Sequence, residues 1–236
     1  MKRGKRYTQL REAIDRTREY EPGEAIAAVR DLQSAKFIEA VEAHIRLGVN
    51  VRHADQQVRG TMVLPHGLGR EVSVVVFAQG DKAREAEAAG ADAVGGEDLA
   101  ERVSGGWTDF DVAVASPDMM SVVGKLGRIL GPQGKMPNPK VGTVTDDVGR
   151  AVEQAKAGRV EYRTDRSGIV HLVIGRANFE QRQLLENYAA LIEEIVRAKP
   201  AAAKGRYIRS VTLTTTMGPG IHVDPTKTRD LLEEAA

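Results

Sequence analysis

Between Gly124 and Gly142 the chain reads GKLGRILGPQGKMPNPKVG, with five glycines, three prolines and the cations Lys125, Arg128, Lys135 and Lys140. No Asp or Glu occurs from Met119 to Thr145. Proline removes backbone donors and fixes φ while glycine frees it, so this segment cannot run far as helix or strand. It is expected to be a stiff, irregular, positively charged loop that offers N–H groups and cationic heads to an anion, phosphate above all. A P-loop is excluded. That motif needs Gly five residues before Gly-Lys and then Ser or Thr, whereas Ile129 stands five before Gly134 and Met136 follows Lys135. No G-x-G-x-x-G follows the first buried strand, and there is no G-x-S-x-G or H-E-x-x-H. The five histidines (His44, His53, His66, His171 and His222) are isolated in sequence and read as surface or satisfied residues. With no cysteine, thiolate metal sites, disulfides and cysteine nucleophiles are all excluded.

The phosphate is more readily that of a polyanion. Net charge is only +1, but it is segregated. Residues 81–118 hold ten acids and three bases, and 119–145 carry +4. Residues 1–18 hold seven bases against two acids, and 195–223 hold five bases (Arg197, Lys199, Lys204, Arg206, Arg209) and no acid. Solvated helix faces are the alternative reading of any one cluster. Aromatic residues make up 4 %, too few for base-stacking platforms, which favours recognition of folded RNA by shape over single-strand reading. The strand expected over Tyr207–Thr216 lines one face with Ser210, Thr212, Thr214 and Thr216, a hydroxyl row suited to RNA or simply to β-propensity. Phe37, after Lys36, and Met217, in a Thr-Met-Gly-Pro turn, are either core residues or contacts. Glu42, Lys36 and Thr216 would complete a polar patch if the two strand ends are neighbours.

The elements that must position these residues follow from periodicity. Apolar content of 42 % over 236 residues supports globular domains. Residues 6–33 read as two helices broken at Glu21-Pro22-Gly23, with Pro22 in a first turn. Val41, Ala43, Ile45, Leu47 and Val49 alternate with polar or small residues, which predicts a half-buried strand. Another strand, near 58–64, runs into Pro65–Gly69, a natural hinge. Val72–Ala78, almost continuously apolar, a short strand near Asp92–Val94 and Asp111–Ala115 read as strands alternating with helices from Asp81 and near Glu97, which implies a parallel sheet. Ser116-Pro117 is expected to cap a helix. After Gly158, strands near 160–163 and 169–174 flank a turn at Asp165–Gly168. An amphipathic helix covers 179–196, with Leu184, Leu185, Tyr188, Leu191, Ile192, Ile195 and Val196 on one stripe. An α/β insertion of about 68–159 therefore interrupts an α+β domain made from both ends. The basic N-terminus lacks the apolar run of a signal peptide, and no span is long enough for a membrane, so a cytoplasmic protein is expected.

The stretches AKFIEAVEAHIRLGV, DQQVRGTMVLPHGLG, GWTDFDVAVASPDMM, GKLGRILGPQGKMPNPKVGT and RSVTLTTTMGP, in that order, resemble the L-one family of ribosomal proteins, those of the mobile side stalk. The resemblance covers essentially the whole chain. It implies an α+β split domain (ferredoxin-like, βαβ) over 1–67 and 160–236 that binds RNA, with an inserted α/β Rossmann-like three-layer domain over 68–159. It implies no enzyme activity, no cofactor and no metal. The implied partners are the 23S rRNA stalk of the large (50S) subunit, E-site tRNA during its release, and the mRNA of the protein's own operon, whose translation it represses. The free protein is expected to be a monomer. Lys36, Phe37, Glu39 and Glu42 match the family's contact residues, as do Ser210, Thr214, Thr216, Met217 and Gly218, with Asp165, Arg166 and Ser167 bordering the site. Lys125, Arg128, Lys135 and Lys140 become a second, weaker contact, and the insertion is expected to swing about Pro65–Gly69 and Ala157–Arg159. Where the family usually shows Phe-Asp-Glu-Ser/Thr-Val-Glu, this chain has Ile38 and Ala40 in place of the acid and the hydroxyl, so no contact is assigned to either. A nucleotide or phosphosugar enzyme built on the insertion, and a repressor acting only off the ribosome, are the competing readings.

Overall fold

The computed structural model describes residues 4–227. Helices α1 (Lys5–Glu12) and α2 (Pro22–Asp31) precede strands β1 (Ala40–Leu47) and β2 (Arg59–Val63). Next come β3 (Val74–Phe77), α3 (Asp81–Ala88), β4 (Ala93–Gly95), α4 (Glu97–Ser104) and β5 (Val112–Ala115). The short turns α5 (Met120–Val123) and α6 (Gly127–Leu130) lead to α7 (Val148–Lys156). Then follow β6 (Arg159–Arg163), β7 (Ile169–Arg176), α8 (Gln181–Arg197), β8 (Ile208–Thr215) and β9 (Ile221–Val223). The chain divides into two compact units, one running through Gly69 and from Val160 onward, the other Arg70–Arg159.

The first unit is built on an antiparallel sheet ordered β7-β1-β8-β9. In β1 the period-two pattern becomes geometry: Val41, Ala43, Ile45 and Leu47 are buried, with Glu42, His44 and Arg46 on the other face. The buried face packs on α2 and α8. Because β1 is antiparallel to both neighbours, β7 and β8 run parallel, and α8 connects them in a βαβ unit split by β1. A capping box starts α8, with Glu180 N–H donating to Gln183 Oε1 at 3.0 Å. Leu184, Leu185, Tyr188, Leu191, Ile192 and Ile195 form its inward stripe, each side chain contributing about 1.5–3 kcal/mol by leaving water. Val196, expected on that stripe, is instead 45 % exposed; it sits in the last turn of α8, next to its final residue Arg197. Strands β2 and β6 form a separate two-stranded sheet.

In the second unit the three strands are parallel in the order β4-β3-β5. All four β3 residues are buried since helices cover both faces. Val75 and Phe77 meet α4 and the turns at 119–130, while Val74 and Val76 meet α3 and α7. The result is three layers. Pro117 does open a helical turn, but Ser116 makes no side-chain cap; its backbone N–H instead donates to Phe77 O at 3.0 Å. The segment expected to be irregular from Gly124 is helical at first. A 3₁₀ turn (Gly124–Leu126) and α6 carry Leu126 and Leu130 into the core. Leu126 and Leu130 sit one helical turn apart, so the buried apolar pair overrides the glycines. From Gly131 the chain is irregular apart from a 3₁₀ turn at Pro139–Val141.

Candidate nucleic-acid interface

The N-terminal end of β1 and the C-terminal end of β8 are neighbours. Ala40 N–H donates to Thr216 Oγ1 at 3.0 Å and Thr216 N–H to Ala40 O at 3.1 Å. Ala40 has no hydroxyl, so its main chain makes this join. Beside it Phe37 and Met217 stand out at 52 % and 45 % exposure, and Lys36 is exposed with them. Large apolar side chains on a surface this polar need a reason to be there. Ile38 is exposed as well, and its carbonyl accepts Arg176 Nη1 at 3.1 Å.

Glu39 departs from its expected role as a contact. It is 0 % exposed. Its Oε1 accepts the N–H groups of Ser34 and Ala35 at 3.0 and 2.9 Å, and its Oε2 accepts Met217 N–H at 2.9 Å. Burial alone would raise its pKa, but these three backbone donors outweigh it and hold the carboxyl below its ordinary range. The residue has no surface to offer an RNA. It ties the loop before β1 to the turn after β8, fixing the backbone on either side of Phe37 and at Met217. Thr214 Oγ1 lies within 3.2 Å of Gly218 O, which closes the same turn from the sheet side.

The outward face of the sheet continues from this platform. Glu42 pairs across with Thr214, His44 with Thr212 and Arg46 with Ser210; on the other side, His44 faces His171. At ~3.3 Å per residue the eight residues of β1 span roughly 23 Å, so the expected site falls into two groups. Lys36, Phe37, Glu42, Thr214, Thr216, Met217 and Gly218 gather at one end. Ser210 lies at the other, where Leu47 N–H donates to Gly168 O at 2.8 Å and brings in the Asp165–Gly168 turn. There Asp165 Oδ1 accepts the N–H groups of Ile169 (2.7 Å) and Ser167 (2.8 Å), which lower its pKa, and Gly168 takes φ 75° to close the turn. Arg166 and Ser167 project from it, exposed. Two histidines counted as isolated in sequence meet between the two ends, and a third reaches the same row through Thr212. His44 Nδ1 and His171 Nδ1 are 2.9 Å apart, and His222 Nδ1 lies 3.3 Å from Thr212 Oγ1. His44 and His171 lie 127 positions apart, and only strand pairing unites them.

In the second unit the four candidate cations separate. Lys125 and Arg128 are exposed on the outside of the short turns. Lys135 is drawn inward: its Nζ donates to Thr108 O at 2.8 Å and lies 5.2 Å from the Phe110 ring centre, so it braces the core. The side chain of Lys140 lies outside the described residues. The expected hinge at Pro65–Gly69 is also not free. Buried Asn187 of α8 accepts His66 N–H at 3.0 Å and donates to Gly67 O at 3.2 Å and Ile174 O at 2.8 Å, while His66 meets Glu186. An Asn inside an apolar stripe was the one available signal for this anchor. Among the described residues no group of three or more His, Asp or Glu side chains is arranged to hold a metal ion, and no helix is long and apolar enough to cross a membrane.

Comparison with known proteins matches residues 29–219 to the Ribosomal protein L1p/L10e family. The chain is 56 % identical over 235 residues to the large ribosomal subunit protein uL1 of Thermobifida fusca (strain YX), covering 100 % of both chains. It is 57 % identical over 234 residues to the protein of the same name from Saccharopolyspora erythraea, covering 99 % of this chain and 98 % of that one.

Proposed function

Since the chain belongs to the Ribosomal protein L1p/L10e family, whose members are structural and non-enzymatic parts of the ribosome, we propose that it is a component of the large subunit that binds the 23S rRNA side stalk. The observation that carries this reading is the platform at the joined ends of β1 and β8. A buried carboxylate fixes the backbone there, and Phe37 and Met217 project from it beside Lys36, Thr214 and Thr216. A rigid surface of apolar projections, hydroxyls and a cation suits a folded RNA, whose wide minor groove shows 2′-hydroxyls and base edges. Specificity then comes from shape, the two apolar side chains filling irregularities in the RNA while polar groups set the register. The domain running through Gly69 and from Val160 holds this site, with Lys125 and Arg128 of the inserted unit as an outlying backbone contact.

Two finer roles extend the proposal by family resemblance: participation in release of E-site tRNA, and repression of the protein's own operon mRNA. An mRNA segment folded like the stalk would occupy the same platform, so the two RNAs should compete. The test is binding of a stalk RNA fragment by Met217→Asp, Phe37→Ala and Lys36→Ala, each checked for wild-type melting. The apolar pair is exposed, so the variants fold. A loss of about tenfold or more, ~1.4 kcal/mol, is expected for Met217→Asp, which sets a carboxylate against phosphate. Folded variants that bind as tightly as wild type would remove the platform from the interface.

A further inference from the structure

Acids in an RNA-binding strip need an explanation, and the outer sheet face supplies one for Glu42 and Asp165. Four side chains form a line across β1, β7 and the turn before β7. Glu42 Oε2 lies 3.6 Å from His44 Nε2, His44 Nδ1 lies 2.9 Å from His171 Nδ1, and His171 Nε2 lies 3.5 Å from Asp165 Oδ2. A neutral imidazole carries one N–H, so two neutral rings hold two protons. The line has three gaps to fill: Glu42 to His44, His44 to His171, and His171 to Asp165. Filling all three takes a third proton and gives the pair of rings one positive charge. With only two protons, one ring nitrogen turns a lone pair toward either a carboxylate or the other ring's lone pair. Both rings reach solvent, at 28 % and 51 % side-chain exposure.

We propose that this Glu42–His44–His171–Asp165 line is a proton-loading strip: it takes up a proton when RNA phosphate crosses the sheet, so that binding is coupled to protonation. The inference rests on the RNA-binding reading above and adds a ligand chemistry for the two histidines, which carried none: the phosphodiester backbone met by an imidazolium pair. The surroundings leave the charge to be supplied from outside. On β1 the same face holds Glu42 and Arg46; from β8 it is met by the uncharged Ser210, Thr212 and Thr214; from β9 by His222 through Thr212; and from the turn by Asp165, with Arg166 next to it. In the free protein, burial first and the neighbouring His171 second lower the pKa of His44, against the opposing pull of Glu42, which favours the two-proton state near neutrality. A phosphate placed over the rings opposes that lowering. Protonation is then favoured in the complex relative to the free chain, and affinity rises as pH falls.

The experiment is calorimetric titration of the full chain with a stalk RNA fragment at constant salt, in buffers of different ionisation enthalpy, from about pH 5.5 to 8. Uptake approaching one proton is expected, with affinity rising up to about tenfold per pH unit in the steepest part. His171→Gln and His44→Gln, both at exposed or half-exposed positions, should lose the uptake and flatten the pH profile. His53→Gln, off the sheet face and exposed, should keep both. Tight binding by wild type with no proton uptake, or a His171→Gln profile as steep as wild type, overturns this inference alone. Absence of binding at every pH overturns the RNA reading and this inference with it.

Discussion

Replacing Glu39 by Gln keeps shape and burial while changing one carboxylate oxygen into an N–H donor. Whichever way the amide turns, at least one of the donors at Ser34, Ala35 and Met217 then faces another donor. With the amide oxygen on Ser34 and Ala35, it is Met217 N–H that loses its partner. A hydrogen bond to a charged group contributes about 1.5–3 kcal/mol, and weakening the remaining two to neutral bonds costs somewhat less, so the total is about 3 kcal/mol. For a chain of this size that corresponds to a melting temperature lower by roughly 6–12 °C. The pH dependence has a definite sign. The folded pKa lies below the ordinary 4.5, so the carboxylate's contribution is present above that value and is lost as pH falls through the folded value. The gap between wild type and Glu39→Gln should therefore be full at neutral pH and narrow below about pH 4.5. Amide hydrogen exchange gives the sharpest readout: protection at Ser34, Ala35 and Met217 should drop while that of β3 in the other unit stays unchanged. RNA affinity should fall too, although Glu39 touches no RNA, because the Met217 turn is no longer held. If the variant melts with wild type and the three amides keep their protection, the carboxylate does not tie the platform together and the argument fails.

Two further outcomes are expected. Asn187→Ala removes three hydrogen bonds from a site with no access to water, so melting should fall by an amount corresponding to about 2–4 kcal/mol, and limited proteolysis should begin to cut at residues 65–69. Lys125→Gln combined with Arg128→Gln should leave melting unchanged but make the log–log salt dependence of RNA binding shallower by roughly 1–2, whereas Lys135→Gln should lower the stability of the inserted unit and leave that slope alone.

The strands and the major helix were legible because each carries its period in a short window. Val41 to Leu47 alternates, Val74–Phe77 is unbroken, and the stripe of α8 returns every three or four residues. Phe37 and Met217 were singled out by sequence, but that each lies on the surface and not in the core was settled only by their exposure. What escaped depends on contacts between distant parts of the chain. A glutamate one residue before a strand reads as a surface acid until three backbone donors are seen to surround it. His44 and His171 read as isolated until β1 and β7 pair in register. Lys135 reads as a free cation in a basic run until Thr108 and Phe110 are placed beneath it. The glycines near Gly124 suggested irregular backbone, and two leucines one turn apart outweighed them.

The order β7-β1-β8-β9 has a consequence for synthesis. β1 is an inner strand, yet both of its partners come after the inserted unit, and its bond from Ala40 to Thr216 spans 176 positions. The Arg70–Arg159 unit, whose strands are close neighbours in sequence, can be finished first. At ~5–20 residues per second, β1 then waits on the order of ten seconds with both edges and its apolar face unpartnered. Glu42 and Arg46, which interrupt that strand on its outer face, also serve the nascent chain there as charged breaks against pairing with another copy.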